Sequence, residues 1–172
     1  SEIFRQISSL PADHMLPYLK TLGYQGIWLN RAGYSDQAAK ISRELGLLCG
    51  DPAVSSPSLP ISVYRLPSQE KSSMKAVAVA PLVAYNRGWS AVEFNGGDVW
   101  RWASQKKASA TLLVPDGNEQ PISISGKVMR NLPGSLTVNI GGNHSFFVSE
   151  SMNAFSMQAP LKPGLYEIVF ES

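Results

Sequence analysis

The 172-residue chain is poor in the residue types that build metal, thiol and nucleic-acid sites. One cysteine and two histidines allow no internal disulfide and leave few metal ligands, so we expect neither a metal nor another cofactor. Cys49 follows two leucines, which is typical of a small buried core residue. Only 16% of residues are charged, and the formal net charge is +2 without a run of like charges. Nucleic acid is therefore not an expected partner, because its binding surfaces usually carry a basic stripe.

Long apolar runs and catalytic motifs are also missing. Without a stretch of 18 apolar residues, this sequence is predicted not to span a membrane. It lacks a Gly-x-Ser-x-Gly motif and a phosphate-binding glycine-rich loop, so we predict no catalytic residue. His14 and His144 are isolated from other ligand types, which favours solvated or hydrogen-bonded roles. The chain opens at Ser1 in an apolar helical pattern, and we expect it to be a segment of a longer protein.

The residues that are present predict an α+β chain in two parts. Apolar residues make up 44% of the chain, and at this length a folded core needs no metal or disulfide. The hydrophobic period changes near position 70, where the polar stretch 67–73 is typical of a linker. We therefore expect an α/β unit over 1–67, belonging to a larger domain, and a β-sandwich over 74–172.

The first part has the pattern helix, strand, helix, strand. Asp13 is expected to cap the first helix and Ser35 the second, in which apolar residues recur at helical spacing. The strand at 26–30 is a continuous apolar run of the kind found in buried parallel strands. With a second strand at 61–66, the order predicts a βαβ unit with a right-handed crossover. Two strands cannot cover both helices, so the unit either packs on the second part of the chain or completes a larger α/β domain.

From Met74 onward the hydrophobic period is two, and glycine-rich and proline-rich turns separate short segments. Eight or nine short strands at this spacing predict an antiparallel sandwich or barrel, which we assign to the jelly-roll type. The predicted strands are 76–82, 89–94, 99–103, 110–114, 122–128, 135–140, 145–149, 154–158 and 166–171.

One candidate site is the loop after the first strand, which contains Asn30, Arg31 and Asp36. In α/β sheets the carboxyl ends of strands gather binding groups, so Arg31 and Asp36 could hold a ligand there. The alternative, which we favour, is structural. In it Ser35 and Asp36 serve the N-terminus of the next helix and Arg31 pairs with a neighbour.

The second candidate site is a cluster of Trp89, Glu93, Trp100, Arg101 and Trp102, with three of the four tryptophans inside fourteen residues. If the indoles are exposed, they form a platform on which sugar rings can stack, with the charged groups fixing the ligand's orientation. If they are buried, they fill the sandwich core. Alternation with Arg101 places Trp100 and Trp102 on one face of a strand and favours burial, with Arg101 and Glu93 pointing outward.

Two segments resemble a known family. The stretch from Leu19 to Asp36, including Gly26-Ile27 and Arg31-Ala-Gly-Tyr-Ser-Asp36, is similar to a "GFDGI-x-x-DR-x-GY-x-D" motif. That motif lies in the extracytoplasmic C-terminal region of large bacterial polytopic membrane proteins, which are classed as sugar or phosphoglycerol transferases or left uncharacterised. There it precedes a strand and a β-sandwich with a Trp-Arg-Trp-like signature, which residues 99–102 match. The chain departs from the motif at Asn30, where an acidic residue is expected, and this argues against acid/base chemistry there unless Asp36 substitutes.

The resemblance implies an extracytoplasmic (periplasmic) location, tethered to the cytoplasmic membrane through upstream segments. The implied partners are envelope glycan or lipid-linked sugar and the membrane-embedded remainder of the same chain. Transferase chemistry would lie upstream, so no catalytic residue is carried over. We therefore expect a non-catalytic module that binds or positions envelope glycan. Two alternatives stay open: part of a transferase active site that uses the Asn30–Asp36 loop, and a purely structural packing module.

Overall fold

The computed structural model describes residues 2–67, 79–117, 120–129, 133–140, 142–148 and 151–171. Within these ranges the fold is mixed α+β and mostly β, with three α-helices and twelve strands in several antiparallel sheets. The chain divides into two compact units. The first unit comprises Phe4–Ala80 with Pro115–Asn118, and the second comprises Ser1–Ile3, Pro81–Val114 and Glu119–Ser172. The expected linker lies outside the described residues from position 68 onward.

Helix α1 (Glu2–Ser8) is divided between the units at Phe4, and the first unit contains two further helices and a small sheet. These elements are α2 (Ala12–Thr21), β1 (Gly26–Asn30), a 3₁₀ turn (Arg31–Gly33), α3 (Ala39–Cys49), β2 (Val54–Ser55) and β3 (Ile61–Arg65). In the sheet, β3 lies between β1 and β2 and is antiparallel to both.

The expected βαβ unit with parallel β1 and β3 is therefore wrong. Helix α3 connects β1 to β2 instead. Strands β1 and β2 run in the same direction, because each is antiparallel to β3. The two-residue strand β2 takes the outer position, and the loop at 56–60 turns the chain back so that β3 enters between the other two. A strand of two residues inside a Pro/Ser-rich loop carries no periodicity, which is why the pattern could not indicate it.

The core of the first unit lies between the helices and one face of the sheet. It contains Ala12, Leu29, Ala38, Leu45 and Tyr64, with Ile27, Ile41, Leu48 and Cys49 packed against it. The apolar stripe that the sequence predicts on its second helix, which is α3 in the structure, is therefore confirmed as the core-facing side of that helix.

The two expected helix caps are both wrong. Helix α2 begins after Pro11, and Asp13 lies inside its first turn, where its carboxylate accepts hydrogen bonds from His14. At the start of α3 the side chain that accepts backbone N–H groups is the carboxylate of Asp36, not the hydroxyl of Ser35.

Strand β1 does not have two buried faces. The exposed fraction is 4% for Leu29 but 71% for Trp28, because the helices cover only one side of the sheet. Trp28 lies directly opposite Val63, and Val63 lies opposite Val54 on the far strand. These three apolar residues form a row across the outer face of the sheet, and Val54 is 58% exposed.

The second unit contains nine strands, counted over the described residues. They are β4 (Leu82–Tyr85), β5 (Glu93–Asn95), β6 (Asp98–Trp100), β7 (Lys107–Val114), β8 (Ile122–Val128), β9 (Gly134–Asn139), β10 (Asn143–Val148), β11 (Asn153–Ala159) and β12 (Gly164–Glu171). The six strands predicted from position 110 onward are confirmed to within three residues at each end. Of the three earlier ones, 76–82 lies partly outside the described residues, and 89–94 and 99–103 reduce to the short strands β5 and β6.

Two of the sheets share one hydrophobic core, an arrangement compatible with a β-sandwich. A five-stranded sheet has the order β10-β9-β12-β7-β4, and a two-stranded sheet pairs β11 with β8. Side chains of both sheets form a single buried cluster: Leu112, Val114, Ile122, Leu136, Val138, Ile140, Val148, Met157, Ala159 and Ile168. Strands β5 and β6 form a separate two-stranded sheet. Among the described helices, none is long and apolar enough to cross a bilayer.

Candidate functional site

The tryptophan cluster lies on the segment that connects β4 to β7. This segment folds back on itself, because residues 88–90 pair with residues 102–104. The Ser90 N–H donates to the Trp102 carbonyl (2.8 Å), and the Ser104 N–H donates to the Gly88 carbonyl (2.7 Å). We call the surface formed by Tyr85, Trp89 and Arg101 the aromatic surface; Trp102 follows Arg101 on the same segment.

Gly88 permits the close approach on which this segment depends. Its φ is +84°, a left-handed conformation that residues with a Cβ rarely adopt. A Cβ at this position would lie 2.5 Å from the Lys107 carbonyl oxygen and 2.8 Å from the Ala108 Cα, both in the backbone of β7. Only glycine lets the segment lie against the strand at this distance.

Trp89 anchors the aromatic surface to the sandwich. Its half-buried indole donates a hydrogen bond to the Ser109 carbonyl in β7 (2.8 Å). The ring makes edge-to-face contacts with Tyr85 and with Phe170, at centroid distances of 5.2 and 5.3 Å. Because both its N–H and its ring already have partners, Trp89 acts as a support for its neighbours rather than as a free stacking platform.

Arg101 is held over an aromatic ring. Its guanidinium carbon lies 4.8 Å from the centroid of Tyr85, within the range of a cation–π contact, and one terminal nitrogen donates to the Ser90 carbonyl (3.1 Å). The Ser90 hydroxyl in turn accepts a hydrogen bond from the backbone N–H of Trp102 (2.9 Å). Tyr85 and Trp102 remain 44% and 42% exposed. The sequence interpretation missed Tyr85 and Ser90, since an isolated tyrosine at a strand end gives no distinctive signal.

The favoured interpretation is that Trp100 and Trp102 fill the sandwich core. It is wrong for Trp102, which is exposed, and Trp100 is only half-buried and lies outside the core cluster. Strand β6 ends at Trp100, so strand alternation does not extend to Trp102. Trp100 is half-buried, and its indole N–H donates to Glu93 Oε2 across the β5–β6 pair (3.2 Å). Neither indole belongs to the core cluster, because β5 and β6 pair with each other and not with the sandwich sheets.

The loop residues have local structural partners. Arg31 donates to the carbonyls of Ser56 (2.9 Å) and Leu59 (3.0 Å), and so connects its loop to the one before β3. The Asn30 side chain accepts the Ala32 N–H (3.1 Å).

Asp36 serves the start of α3. Its carboxylate accepts the N–H groups of Ala38 (3.0 Å) and Lys40 (3.1 Å). These bonds orient the loop and the helix N-terminus. Within the described part of the chain, no hydrogen bond joins the side chains of Asn30, Arg31 and Asp36 to one another.

Metal-binding geometry is absent from the described ranges, where no three His, Cys, Asp or Glu residues group together. Cys49 is half-buried, and burial raises the pKa of its thiol against a smaller opposing effect of Lys20. The hydrogen bond from His14 Nδ1 to Asp13 Oδ1 (2.9 Å) lowers the pKa of Asp13. The side chain of His144 lies outside the described part of the structure.

Comparison of the chain with protein-family models, with curated proteins and with solved structures finds no match. The geometry of the aromatic surface is therefore the main basis for a functional assignment. The resemblance to the C-terminal regions of bacterial polytopic membrane proteins rests on the short motifs alone.

Proposed function

We propose that this chain is a non-catalytic module that binds envelope glycan for a larger bacterial membrane protein. The observation that carries the proposal is the exposure of two aromatic side chains, Tyr85 and Trp102, each more than 40% exposed, with the guanidinium of Arg101 over the Tyr85 ring. Sugar rings have apolar C–H faces that stack on exposed aromatic rings, and polar groups at the edge then fix their orientation.

The aromatic surface is organised before any ligand arrives. Trp89 supports Tyr85 from the sandwich side, and Ser90 accepts hydrogen bonds from the Arg101 guanidinium and from the backbone N–H of Trp102. A rigid surface loses little conformational entropy on binding, which favours recognition of a weakly interacting ligand. The guanidinium of Arg101 carries five N–H donors, and those not directed at Ser90 suit the hydroxyl and carboxylate oxygens of a glycan.

The family resemblance supports the rest of the proposal. It favours an extracytoplasmic location, tethering to the cytoplasmic membrane through the remainder of the chain, and envelope glycan or lipid-linked sugar as the ligand. We also propose the jelly-roll type found in lectin-like modules. The chain supports this by changing sheet from β7 to β8 and back at β9, and again from β10 to β11 and back at β12.

The test is a titration with envelope oligosaccharides, monitored by tryptophan fluorescence in a Trp28→Phe background so that only second-unit indoles emit. We expect a saturable shift or quench, weakened at least tenfold in Tyr85→Ala and Trp102→Ala. Leu165→Ala is the matched control, because Leu165 is an apolar side chain 58% exposed on β12. Absence of any change at millimolar ligand, or equal binding by Trp102→Ala, refutes the proposal.

A second function, packing against the remainder of the parent protein, is favoured by the outer face of the first unit. Trp28 is 71% and Val54 58% exposed in one row across the sheet, and apolar side chains grouped on a surface often mark an interface. Under this proposal Trp28→Ser lowers the yield of the full-length protein, whereas Trp102→Ala does not. No specific observation favours the third possibility, a transferase site at the Asn30–Asp36 loop.

A further inference from the structure

The first unit has a cleft where the end of α2 meets the end of β3. Its volume is about 630 Å³, which is within the usual range for the binding site of a small molecule. The cleft is lined by the last turn of α2 and the residues that follow it, by residues 65–67 and by Asp116, all of which belong to the first unit. The aromatic surface contains none of these residues, so the cleft is a separate candidate site.

The end of α2 forms one wall of the cleft. Gly23 follows the helix with a φ of +81°, the left-handed conformation that commonly ends a helix. Its N–H donates to the Lys20 carbonyl (2.9 Å), and the Tyr24 N–H donates to the Leu19 carbonyl (3.0 Å), which together make a Schellman motif. The motif holds Lys20 and Tyr24 at the same wall, and both line the cleft.

The end of β3 forms the second wall. Arg65 lies opposite Gly26 in the last pair of the β1–β3 ladder. Beyond that pair, the Leu66 N–H donates to the Gln25 carbonyl (2.9 Å). A Cβ on Gly26 would lie 2.8 Å from the Tyr64 carbonyl oxygen, so glycine permits the two strands to approach at this end. Arg65 and Gln25 therefore line the same cleft as the end of α2.

The cleft combines two cations with one carboxylate. Lys20 and Arg65 both line it, and within the described part of the chain neither forms an ion pair. An ammonium and a guanidinium are both well suited to the oxygens of a phosphate group. Asp116 adds a carboxylate, which has about four acceptor positions and can accept hydroxyl protons beside other bonds. The mixed charge thus matches a ligand with a phosphate and hydroxyl groups better than a bare anion.

Tyr24 adds an aromatic ring to this polar cleft. Its side chain is 46% exposed, and Phe4 contacts its ring edge-to-face at a centroid distance of 6.2 Å. The apolar C–H face of a sugar can stack on a ring that is held in this way. Gln25 is exposed beside it, and its amide offers both donors and an acceptor to sugar hydroxyls.

We propose that this cleft binds a sugar phosphate. Lys20 and Arg65 contact the phosphate, and Tyr24 stacks against the sugar ring. Gln25 and Asp116 form hydrogen bonds with the sugar hydroxyls. The inference goes beyond glycan binding by the aromatic surface, because it uses a different unit of the chain and requires a phosphate. A sugar phosphate is a monoester when it is free and a diester within a polymer or on a lipid carrier, and the cleft recognises the chemistry that both share.

The experiment is an NMR titration that follows the backbone amide shifts of the isotope-labelled chain. The probes are glucose 1-phosphate, inorganic phosphate and glucose. We expect saturable shifts at residues 20–25 and 65–66, with the sugar phosphate binding at least about tenfold more tightly than either of its parts. Lys20→Gln and Arg65→Gln should each weaken its binding about tenfold, because each removes a charge-assisted hydrogen bond.

The matched controls are Lys40→Gln and Arg43→Gln, which remove exposed cations on α3 outside the cleft. Each should change the affinity by less than about twofold, since exposed charges at a distance are screened. The methyl diester of the same sugar phosphate distinguishes the two sources. Tighter binding of the monoester indicates a free metabolite, and tighter binding of the diester indicates a polymer or a lipid carrier.

Two further variants separate ligand binding from a structural role. Tyr24→Ala should weaken the sugar phosphate about fivefold or more and leave inorganic phosphate unchanged. Asp116→Asn should reduce the preference for the sugar phosphate over inorganic phosphate, because it removes both a strong acceptor and a charge that repels phosphate. Each variant should keep the far-ultraviolet circular dichroism of the parent chain.

Three results overturn the proposal: no saturable shift at millimolar sugar phosphate, equal losses in the control variants, or equal affinity for the sugar phosphate and inorganic phosphate. Shifts confined to Tyr85 and Arg101 would also overturn it, because they would assign the ligand to the aromatic surface. The oligosaccharide titration observes the second unit in a chain that lacks Trp28, so failure of either proposal is distinguishable from failure of the other.

Discussion

Substitution of Gly88 by alanine is the most direct test of how the aromatic surface is positioned. The left-handed φ of +84° costs an alanine about 1–2 kcal/mol, partly offset by about 0.4–1 kcal/mol from the lower entropy of the unfolded chain. The new Cβ would also lie 2.5 Å from the Lys107 oxygen. That oxygen belongs to the backbone of β7 and cannot rotate away, so the segment must shift, at about 1–3 kcal/mol. We expect a total loss of about 1–5 kcal/mol.

The assay is urea unfolding monitored by fluorescence in the Trp28→Phe background, which reports only on the second unit. The shift that relieves the clash moves residue 88 away from β7, so the Trp89 indole should lose its bond to the Ser109 carbonyl. We therefore expect a red-shifted native emission together with the lower unfolding midpoint. Oligosaccharide binding should also weaken, because Trp89 supports Tyr85.

Gly97→Ala is the matched control. Gly97 also has a left-handed φ, +95°, but a Cβ there would meet nothing within 4 Å. This variant carries the conformational cost alone, about 1.6 kcal/mol or less. If Gly88→Ala and Gly97→Ala destabilise the second unit equally, to within about 0.5 kcal/mol, the close approach of Gly88 to β7 is not a determinant of this surface.

Buried polar groups give three further predictions. The Ser109 hydroxyl is buried without a hydrogen-bond partner among the described residues. Ser109→Ala should therefore leave the free energy of unfolding unchanged or raise it by up to about 1 kcal/mol, measured as an equal or higher urea midpoint. A fall in the free energy of unfolding of more than about 1 kcal/mol contradicts this. Burial raises the pKa of Tyr18 above 10.0, so its contribution to stability is full below pH 10 and is lost as pH rises through the folded-state pKa. Alkaline unfolding of Tyr18→Phe should lack that component, and an unchanged pH profile would refute it. Burial also raises the pKa of Cys49, so iodoacetamide should alkylate the native thiol more slowly than the unfolded one at about pH 8; equal rates would show that the thiol is accessible.

The sequence predicted the later strands well because each has a clear alternation and ends in a strong turn signal. Strand β8 has the predicted bounds, 122–128, and its apolar positions contribute to the sandwich core. The stripe on α3 likewise identified core residues before any tertiary contact was known. These patterns involve residues close together in the sequence, so they can be recognised without knowledge of the fold.

Features that depend on distant segments were not predictable. Whether β3 pairs parallel or antiparallel to β1 depends on the two-residue strand β2, which no period identifies. Whether Trp102 is buried depends on which sheet its segment joins. Alternation with Arg101 in the sequence is compatible with a buried Trp102 and with an exposed one. The partners of Arg31, which lie 25 and 28 positions along the chain, are likewise set by the return of the loop before β3.

The candidate site shows the same division. The positions of the tryptophans in the sequence identified the cluster, because three of the four lie within fourteen residues. The sequence thus determined which side chains are available, and local periodicity determined most of the elements that carry them. Only the tertiary structure decided that Trp89 supports Tyr85, that Arg101 lies over the Tyr85 ring and that Phe94 and Val99 face solvent. The physical reason is that burial and pairing are properties of contacts between separated segments, whereas hydrophobic period is a property of neighbours in the chain.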